Sequence, residues 1–245
     1  MTQELRPGGG KIRRKNMRLL DRLKKKNKEE APVGPYYLYD EKEIDELDAY
    51  LQQALGDYKN VFHEMVSPDI HCDIALVDPT EEAPYWKLVT MGAGAYRMNV
   101  PTELAEYQLE YAEYIIYLPS DWNLGSNEEN DYWPIRTLKD ISRLPIYCDT
   151  WLGYGHTIQA NAEGTPYASN TKFNNTMLVN AITNEGKRMR VQLSSGKVVN
   201  FYLLLPIYQE ELEFKQEKSA DELVDLLIET DAFPVLDIQR KNVAL

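Results

Sequence analysis

Two pairs of side chains in this chain could support acid–base or nucleophilic chemistry. His71 and Asp73 are two residues apart, so on a β-strand they share one face, where a carboxylate could orient an imidazole as a general base. Cys148 precedes His156 by eight residues, and an imidazole beside a thiol would lower the thiol pKa and activate the sulfur. Together these pairs define one alternative function for the chain, an uncharacterised hydrolase.

The expectation that we prefer for His71 and Asp73 is structural. A carboxylate that faces a protein interior must be satisfied by hydrogen-bond donors, and a nearby imidazole can donate to it. We therefore predict a buried polar pair of His71 and Asp73, no catalytic residues, and no enzymatic activity. An isolated cysteine after an amphipathic helix, such as Cys148, is typical of packing.

Metal and cofactor sites are not predicted either. The chain has three histidines and two cysteines, without Cys-x-x-Cys or His-Glu-x-x-His spacing. Residues 91–94 (MGAG) follow a predicted strand, but Arg97 occupies the position of the third glycine in a dinucleotide-binding loop. We expect neither a metal nor a cofactor.

Three segments have the start and stop signals of helices. The first begins at a capping box formed by Asp40 and Glu43, and the last begins at a similar pattern in residues 219–222. Between them, a segment with apolar residues at every third position is expected to have Pro134 in its first turn and to end at Pro145.

Alternating or continuously apolar runs predict the strands. Residues 194–197 join the last two as a β-hairpin, and residues 198–205, apolar on both faces, should lie in the centre of the sheet. The fold class predicted is α+β, with a mixed, largely antiparallel sheet and helices packed against it. The predicted strands are residues 71–77, 85–91, 110–118, 155–160, 176–182, 189–193 and 198–205.

The charge of the chain is divided sharply along its length. Residues 1–30 contain eleven Lys or Arg against four Asp or Glu, whereas the rest contains sixteen against thirty-five, so the net charges are +7 and −19. An acidic body repels phosphate backbones and favours basic protein surfaces. We therefore predict a basic protein or peptide partner and no nucleic acid binding by the body.

Glycine and proline on both sides of the basic segment mark it as an appendage. We predict an N-terminal arm and linker over residues 1–35 and one domain over residues 36–245. A second alternative function is tethering to nucleic acid or another anionic surface through this arm. The longest apolar stretch, residues 201–208, is too short for a membrane span, and the N-terminal region lacks the apolar core of a secretory signal, so we expect a cytoplasmic protein.

Six short segments carry motifs that are not diagnostic singly but are informative as an ordered set. They are residues 71–74 (HCDI), 88–92 (LVTMG), 117–122 (YLPSDW), 133–136 (WPIR), 153–158 (GYGHTI) and 203–214 (LLLPIYQEELEF). In this order they resemble the bacterial members of the Suppressor of fused (SUFU) domain family, over residues 61–228. The resemblance implies a single SUFU-like domain that binds protein without catalysis, and it carries over no catalytic residue.

The resemblance also implies a kind of partner. The animal regulator of this family holds a transcription-factor peptide, partly by adding it to a sheet. Bacterial relatives are proposed as immunity proteins that neutralise polymorphic toxins, and a basic toxin domain would suit the acidic body. We predict partner contacts at Tyr154, Gly155 and His156, where glycines turn the chain beside a strand. We predict further contacts at an acidic rim formed by Gln209, Glu210, Glu211 and Glu213.

Overall fold

A computed structural model describes residues 37–245 of the chain. Its helices are α1 (Glu41–Leu55), α2 (Glu129–Cys148), α3 (Gln209–Glu217) and α4 (Ala220–Glu229). Its strands are β1 (Tyr58–Phe62), β2 (Asp73–Val77), β3 (Tyr85–Met91), β4 (Tyr111–Pro119), β5 (Thr157–Gln159), β6 (Asn175–Asn180), β7 (Arg190–Gln192) and β8 (Val198–Ile207). The predicted basic arm lies outside the described residues, and its tethering role stays a prediction.

The strands form one mixed sheet in the order β1-β2-β3-β4-β8-β6-β5, with β7 also pairing with β8. β4 and β8 pair in parallel, and every other ladder between these strands is antiparallel. The predicted α+β fold class is therefore confirmed. β8 lies between β4 and β6 with all of its residues buried, which confirms the central position predicted from its apolar sequence. β1 and β5 are the strands at the two ends of this order.

Helices cover both faces of the sheet. On β4, Tyr114 and Ile116 point into the core that contains Trp133 and Leu138 of α2. Ile115 points into the opposite core, which contains leucines of α1 and α4. Because successive side chains of a strand point to opposite faces, a sheet covered on both faces needs mainly apolar strands, and in β4 and β8 the only exceptions are the buried Glu113 and Asn200.

The capping box predicted at Asp40 is confirmed, and of the one predicted at Ser219 only the contact made by the Ser219 side chain is present. The Asp40 side chain accepts a hydrogen bond from the backbone N–H of Glu43 at 2.8 Å, and the Glu43 side chain accepts one from the Asp40 backbone N–H at 3.2 Å. The Ser219 side chain accepts from the backbone N–H of Glu222 and begins α4. These contacts satisfy N–H groups that a helix leaves unpaired in its first turn.

The predicted boundaries of α2 were wrong. The helix begins at Glu129 and continues past Pro145 to Cys148, so both prolines lie inside it. Pro134 has no N–H to donate to the carbonyl of Asn130, four residues earlier. The Nδ2 group of Asn170 donates to that carbonyl instead, at 2.8 Å. A contact with a distant loop thus satisfies the Asn130 carbonyl, which has no N–H donor at Pro134. Local sequence rules cannot predict this contact.

A buried carboxylate holds the turn that follows β3. Glu113 accepts hydrogen bonds from the hydroxyls of Tyr39 and Thr90 and from the backbone N–H groups of residues 92–94, at 2.6 to 3.2 Å. Burial raises the pKa of Glu113, and these hydrogen bonds act in the opposite direction. Gly92 has φ of 136°, and a Cβ there would lie 1.9 Å from the His71 carbonyl oxygen. The MGAG segment is therefore a structural turn around a carboxylate.

Candidate functional site

The edge strand β5 carries the first candidate surface. It pairs with β6 on one side, and no strand of the described residues pairs with its other side. A groove of about 550 Å³ lies beside it, and Trp151, His156 and Lys215 are among the lining residues. Gly155 and His156, two of the residues predicted to contact a partner, line this groove.

The turn into β5 is fixed by backbone geometry. The Gly155 N–H donates to the Leu178 carbonyl at 2.8 Å, and the Leu178 N–H donates to the His156 carbonyl at 2.9 Å. Gly155 has φ of 77°, in the left-handed region that a glycine adopts without strain. The backbone therefore needs this glycine to bring His156 to the edge of the sheet.

The His156 ring contributes an aromatic surface to this groove. It packs on the Trp151 ring with centroids 4.3 Å apart and the planes tilted by 59°. Burial lowers the pKa of His156, the charge of Lys215 acts in the same direction, and a hydrogen bond with the Trp151 backbone opposes them. The imidazole is therefore neutral at pH 7, and it can both stack and exchange hydrogen bonds.

Tyr154 ties this turn to the last helix. Its hydroxyl donates to the Asp221 carboxylate in the first turn of α4. Burial raises the pKa of Tyr154, and the Asp221 carboxylate adds to the effect. The Tyr154 ring remains partly exposed, so it can still contact a partner.

The predicted acidic rim is the first turns of α3, an element that the sequence analysis did not predict. Gln209, Glu210 and Glu213 are exposed, as a partner-binding rim requires. Glu211 is completely buried, and its two carboxylate oxygens accept from the Arg240 guanidinium at 2.5 and 2.6 Å. The prediction was therefore wrong for Glu211, because the residue faces inward on the helix and anchors the C-terminal segment.

The structure brings the turn at His156 and the helix α3 to the same end of the sheet. Lys215 of α3 lines the groove beside His156. Asn175 of β6 pairs with Gln159 of β5, and its side chain donates to Gln209 Oε1 at 3.2 Å. The two segments that were predicted separately thus border one region, made of an open strand edge and an acidic helix.

His71 and Asp73 form a second polar site at the opposite edge. His71 Nε2 lies 3.0 Å from Asp73 Oδ1, which confirms the predicted pair. His63 Nδ1 also contacts Asp73, at 2.9 Å from Oδ2. The His71 and Asp73 side chains are 40% and 18% exposed, so the predicted burial was wrong. The reason is that the pair lies beside the edge strand β1, where no further strand of the described residues covers it.

The polar network around this pair extends to a serine. Ser67 Oγ lies 2.9 Å from His71 Nδ1, so the order Ser67, His71, Asp73 resembles the relay of a hydrolase. Ser67 Oγ also donates to Glu64 Oε2 at 2.9 Å, and Glu64 accepts two hydrogen bonds from Arg143 at 2.7 and 2.8 Å. The serine thus joins the imidazole to an ion pair. Of these contacts the sequence revealed only the pair two residues apart, because the others join distant segments.

The Cys148 and His156 pair is not assembled. Cys148 is exposed at the end of α2, whereas His156 packs on Trp151. No hydrogen bond among residues 37–245 joins the two side chains. A neighbouring thiolate would raise the pKa of His156, whereas burial lowers it and Cys148 is not among the causes of the shift. The geometry gives no support to a cysteine nucleophile at this position.

No group of three or more His, Cys, Asp or Glu side chains in residues 37–245 is arranged to hold a metal ion. Within the same range, no helix has both the length and the apolar character that crossing a membrane requires.

Solved structures share this fold. A Suppressor of fused homologue from Neisseria gonorrhoeae matches with a TM-score of 0.53 and 21% identity, over 84% of this chain and 96% of its own. Suppressor of fused in a Sufu–Fu complex matches with a TM-score of 0.62 and 13% identity, over 82% and 92%. Drosophila Suppressor of fused matches with a TM-score of 0.54 and 13% identity, over 86% of this chain but 54% of its own. No curated protein matches significantly.

The family model for Suppressor of fused protein (SUFU) matches residues 68–241. The chain therefore belongs to the SUFU family, as its motifs indicated. The match includes β2 to β8 and α2 to α4, and thus the groove beside β5 together with His71 and Asp73, whereas α1 and β1 precede it.

Proposed function

We propose that this chain is a non-enzymatic protein-binding module that holds an extended segment of a basic protein at the edge of β5. The observation that carries the proposal is the open edge of β5 beside a groove lined by Trp151 and His156. An added strand gains main-chain hydrogen bonds at such an edge, and the adjacent groove accepts its side chains. The Sufu–Fu complex, whose fold is similar, supports protein binding in general, and the edge of β5 as the binding site is our own inference.

Charge favours a basic partner. Glu210 and Glu213 lie exposed on α3, which borders the groove, and residues 31–245 carry a net charge of −19. A field of this sign accelerates the encounter with a positive surface, while the final affinity depends on the contacts at the edge. Lys215, in the same groove, provides a positive group that could meet an acidic residue of the partner.

The finer part of the proposal is that the partner is a toxin domain and that this chain is its immunity protein, acting in the cytoplasm. Binding of an acidic module over a positive active surface would block a nuclease or a similar basic toxin. The family resemblance and the acidic charge support this role.

A pull-down with the product of the neighbouring gene tests the proposal. The full chain should retain that product at physiological salt, and the E210Q/E213Q variant should bind it more slowly with a weaker dependence on salt. A matched control is E163Q, which changes an exposed carboxylate outside α3. The absence of any complex with the neighbouring product would contradict the immunity role.

A hydrolase is the second candidate, and the Ser67, His71 and Asp73 array is the observation that favours it. Its test is ester hydrolysis by the full chain and by S67A, with p-nitrophenyl acetate as the substrate. Our proposal predicts equal rates for the two proteins. A rate that falls about a hundredfold or more in S67A would support catalysis with Ser67 as the nucleophile instead.

A further inference from the structure

A second cavity lies at the other edge of the sheet, between the first turns of α1 and the strands β1 and β2. Its volume is about 290 Å³, close to the lower limit of about 300 Å³ for small-molecule sites, so it suits one side chain better than a large cofactor. Leu38, Ile44, Val61 and Met91 supply apolar walls. Leu38 and Ile44 are 56% and 44% exposed, which leaves apolar surface uncovered at its mouth.

The charge that lines this cavity has one sign. Asp45, Asp48 and Asp73 contribute three carboxylates, and no lysine or arginine is among the described residues that line it. His63 and His71 also line it, and both contact the Asp73 carboxylate. An apolar cavity with carboxylates is complementary to a group that has an aliphatic stem and a cationic head.

The acceptor capacity of these carboxylates is only partly used. A carboxylate can accept roughly four hydrogen bonds. Asp73 accepts from the Glu64 backbone N–H and lies within hydrogen-bond distance of both imidazoles. Asp48 accepts from Tyr58 and Gln52, whereas Asp45 accepts no hydrogen bond from the described residues. The free capacity is therefore greatest on α1, where Asp45 and Asp48 lie three positions apart on one helix face.

We propose that this cavity binds a single arginine side chain, presented by an extended protein segment that lies along the open edge of β1. The five N–H donors of a guanidinium can serve Asp45 and Asp48 together, while its stem contacts Ile44 and Val61. No strand of the described residues pairs with the outer side of β1, so the segment that carries the arginine can gain main-chain hydrogen bonds there. The site lies at the opposite edge of the sheet from β5 and does not depend on the function proposed above.

The test uses the full chain and an acetylated, amidated Leu-Arg-Val tripeptide, followed by amide NMR titration. A peptide with citrulline in place of arginine is the control, because citrulline keeps the shape and removes the charge. We expect the arginine peptide to shift the resonances of β1 and the first turns of α1, and to bind about tenfold more tightly than the citrulline peptide.

Variants of the protein complete the test. D45N should weaken the arginine peptide about fivefold, because it removes one charge-assisted partner at an exposed position that accepts no hydrogen bond from the described residues. D121N, an exposed carboxylate away from the cavity, should leave the affinity unchanged. Equal affinity for arginine and citrulline, equal loss in D45N and D121N, shifts confined to β5, or no binding to the unaltered protein would each overturn the proposal.

Discussion

The strands β5 and β1, at the two ends of the sheet, both have an unpaired edge in the described residues, but different side chains surround them. At β5, a glycine turn, a neutral imidazole and Trp151 border an open groove. At β1, three carboxylates and two imidazoles surround a small apolar cavity. The comparison teaches that an open strand edge provides backbone hydrogen bonds to an added segment but does not by itself select which segment binds. The neighbouring side chains determine whether a partner is recognised mainly through its main chain or through one charged side chain.

The two edges also differ in how their ion pairs are buried. Near β5, Arg240 and Glu211 are almost completely buried. Near β1, Arg143 and Glu64 retain about a tenth of their side-chain exposure. A buried charge without an ionic partner lowers the free energy of unfolding, and the loss is larger where water is excluded more completely. Loss of Arg240 from its ion pair with Glu211 should therefore destabilise the protein more than loss of Arg143 from its ion pair with Glu64.

The largest predicted effect follows from this difference. R240L should lower the free energy of unfolding by about 3–5 kcal/mol, because it removes the cation from the buried Glu211 carboxylate, which keeps only the backbone N–H groups of Tyr208 and Val243 as donors. R143L should cost about 2 kcal/mol, because its partners keep some access to water. Urea unfolding monitored by circular dichroism measures both values. A greater loss in R143L than in R240L would reverse the comparison.

An intermediate effect is predicted for the two thiols, which lie near different edges. Cys148 is exposed, whereas Cys72 is buried and its pKa is raised to about 12, chiefly by burial and then by Glu113. Because the thiolate is the reactive form, one thiol per folded chain should react with Ellman's reagent at pH 8. Both should react in 6 M guanidinium chloride. C148S is the control, and rapid reaction of the folded C148S chain would show that the β1 region opens readily.

The smallest predicted effect concerns the pH dependence of stability. The folded pKa of His156 lies below its unfolded value, so at acidic pH the unfolded chain binds more protons and stability falls as the pH falls. The loss begins near the unfolded pKa of about 6.5 and continues down through the lowered folded pKa. H156F keeps an aromatic ring on Trp151 and should reduce the slope between pH 7 and pH 5. An unchanged slope in H156F would remove His156 as a source of this dependence.

Sequence patterns predicted most helices and strands of the fold, because the signals that define these elements lie within a few neighbouring residues. Residues 198–205, apolar on both faces, predicted the central strand β8, and the Asp40 and Glu43 pattern predicted the start of α1. The short strand β1 was missed, because Tyr58–Phe62 is half polar and lies at an edge where one face has little to bury.

The candidate sites were only partly predictable. Glu211 was expected at an exposed rim, since its neighbours are charged, but its partner Arg240 is 29 residues away in the sequence. The Ser67 contact with His71 lies in a loop without periodicity, so no pattern indicated it. Contacts between distant segments depend on tertiary packing, and a single sequence does not encode them in its local spacing.

The most direct measurement of the central claim compares two substitutions at one position of β5. Antiparallel pairing directs the N–H of Ile158 towards β6 and the N–H of Gln159 outward. Q159P removes that outward donor, whereas Q159A keeps it, so only the proline variant should lose a partner that adds as a strand. Isothermal titration with the captured partner should show at least a tenfold weaker affinity for Q159P and nearly unchanged affinity for Q159A. Equal affinities for the two variants, both folded, would contradict binding at the edge of β5.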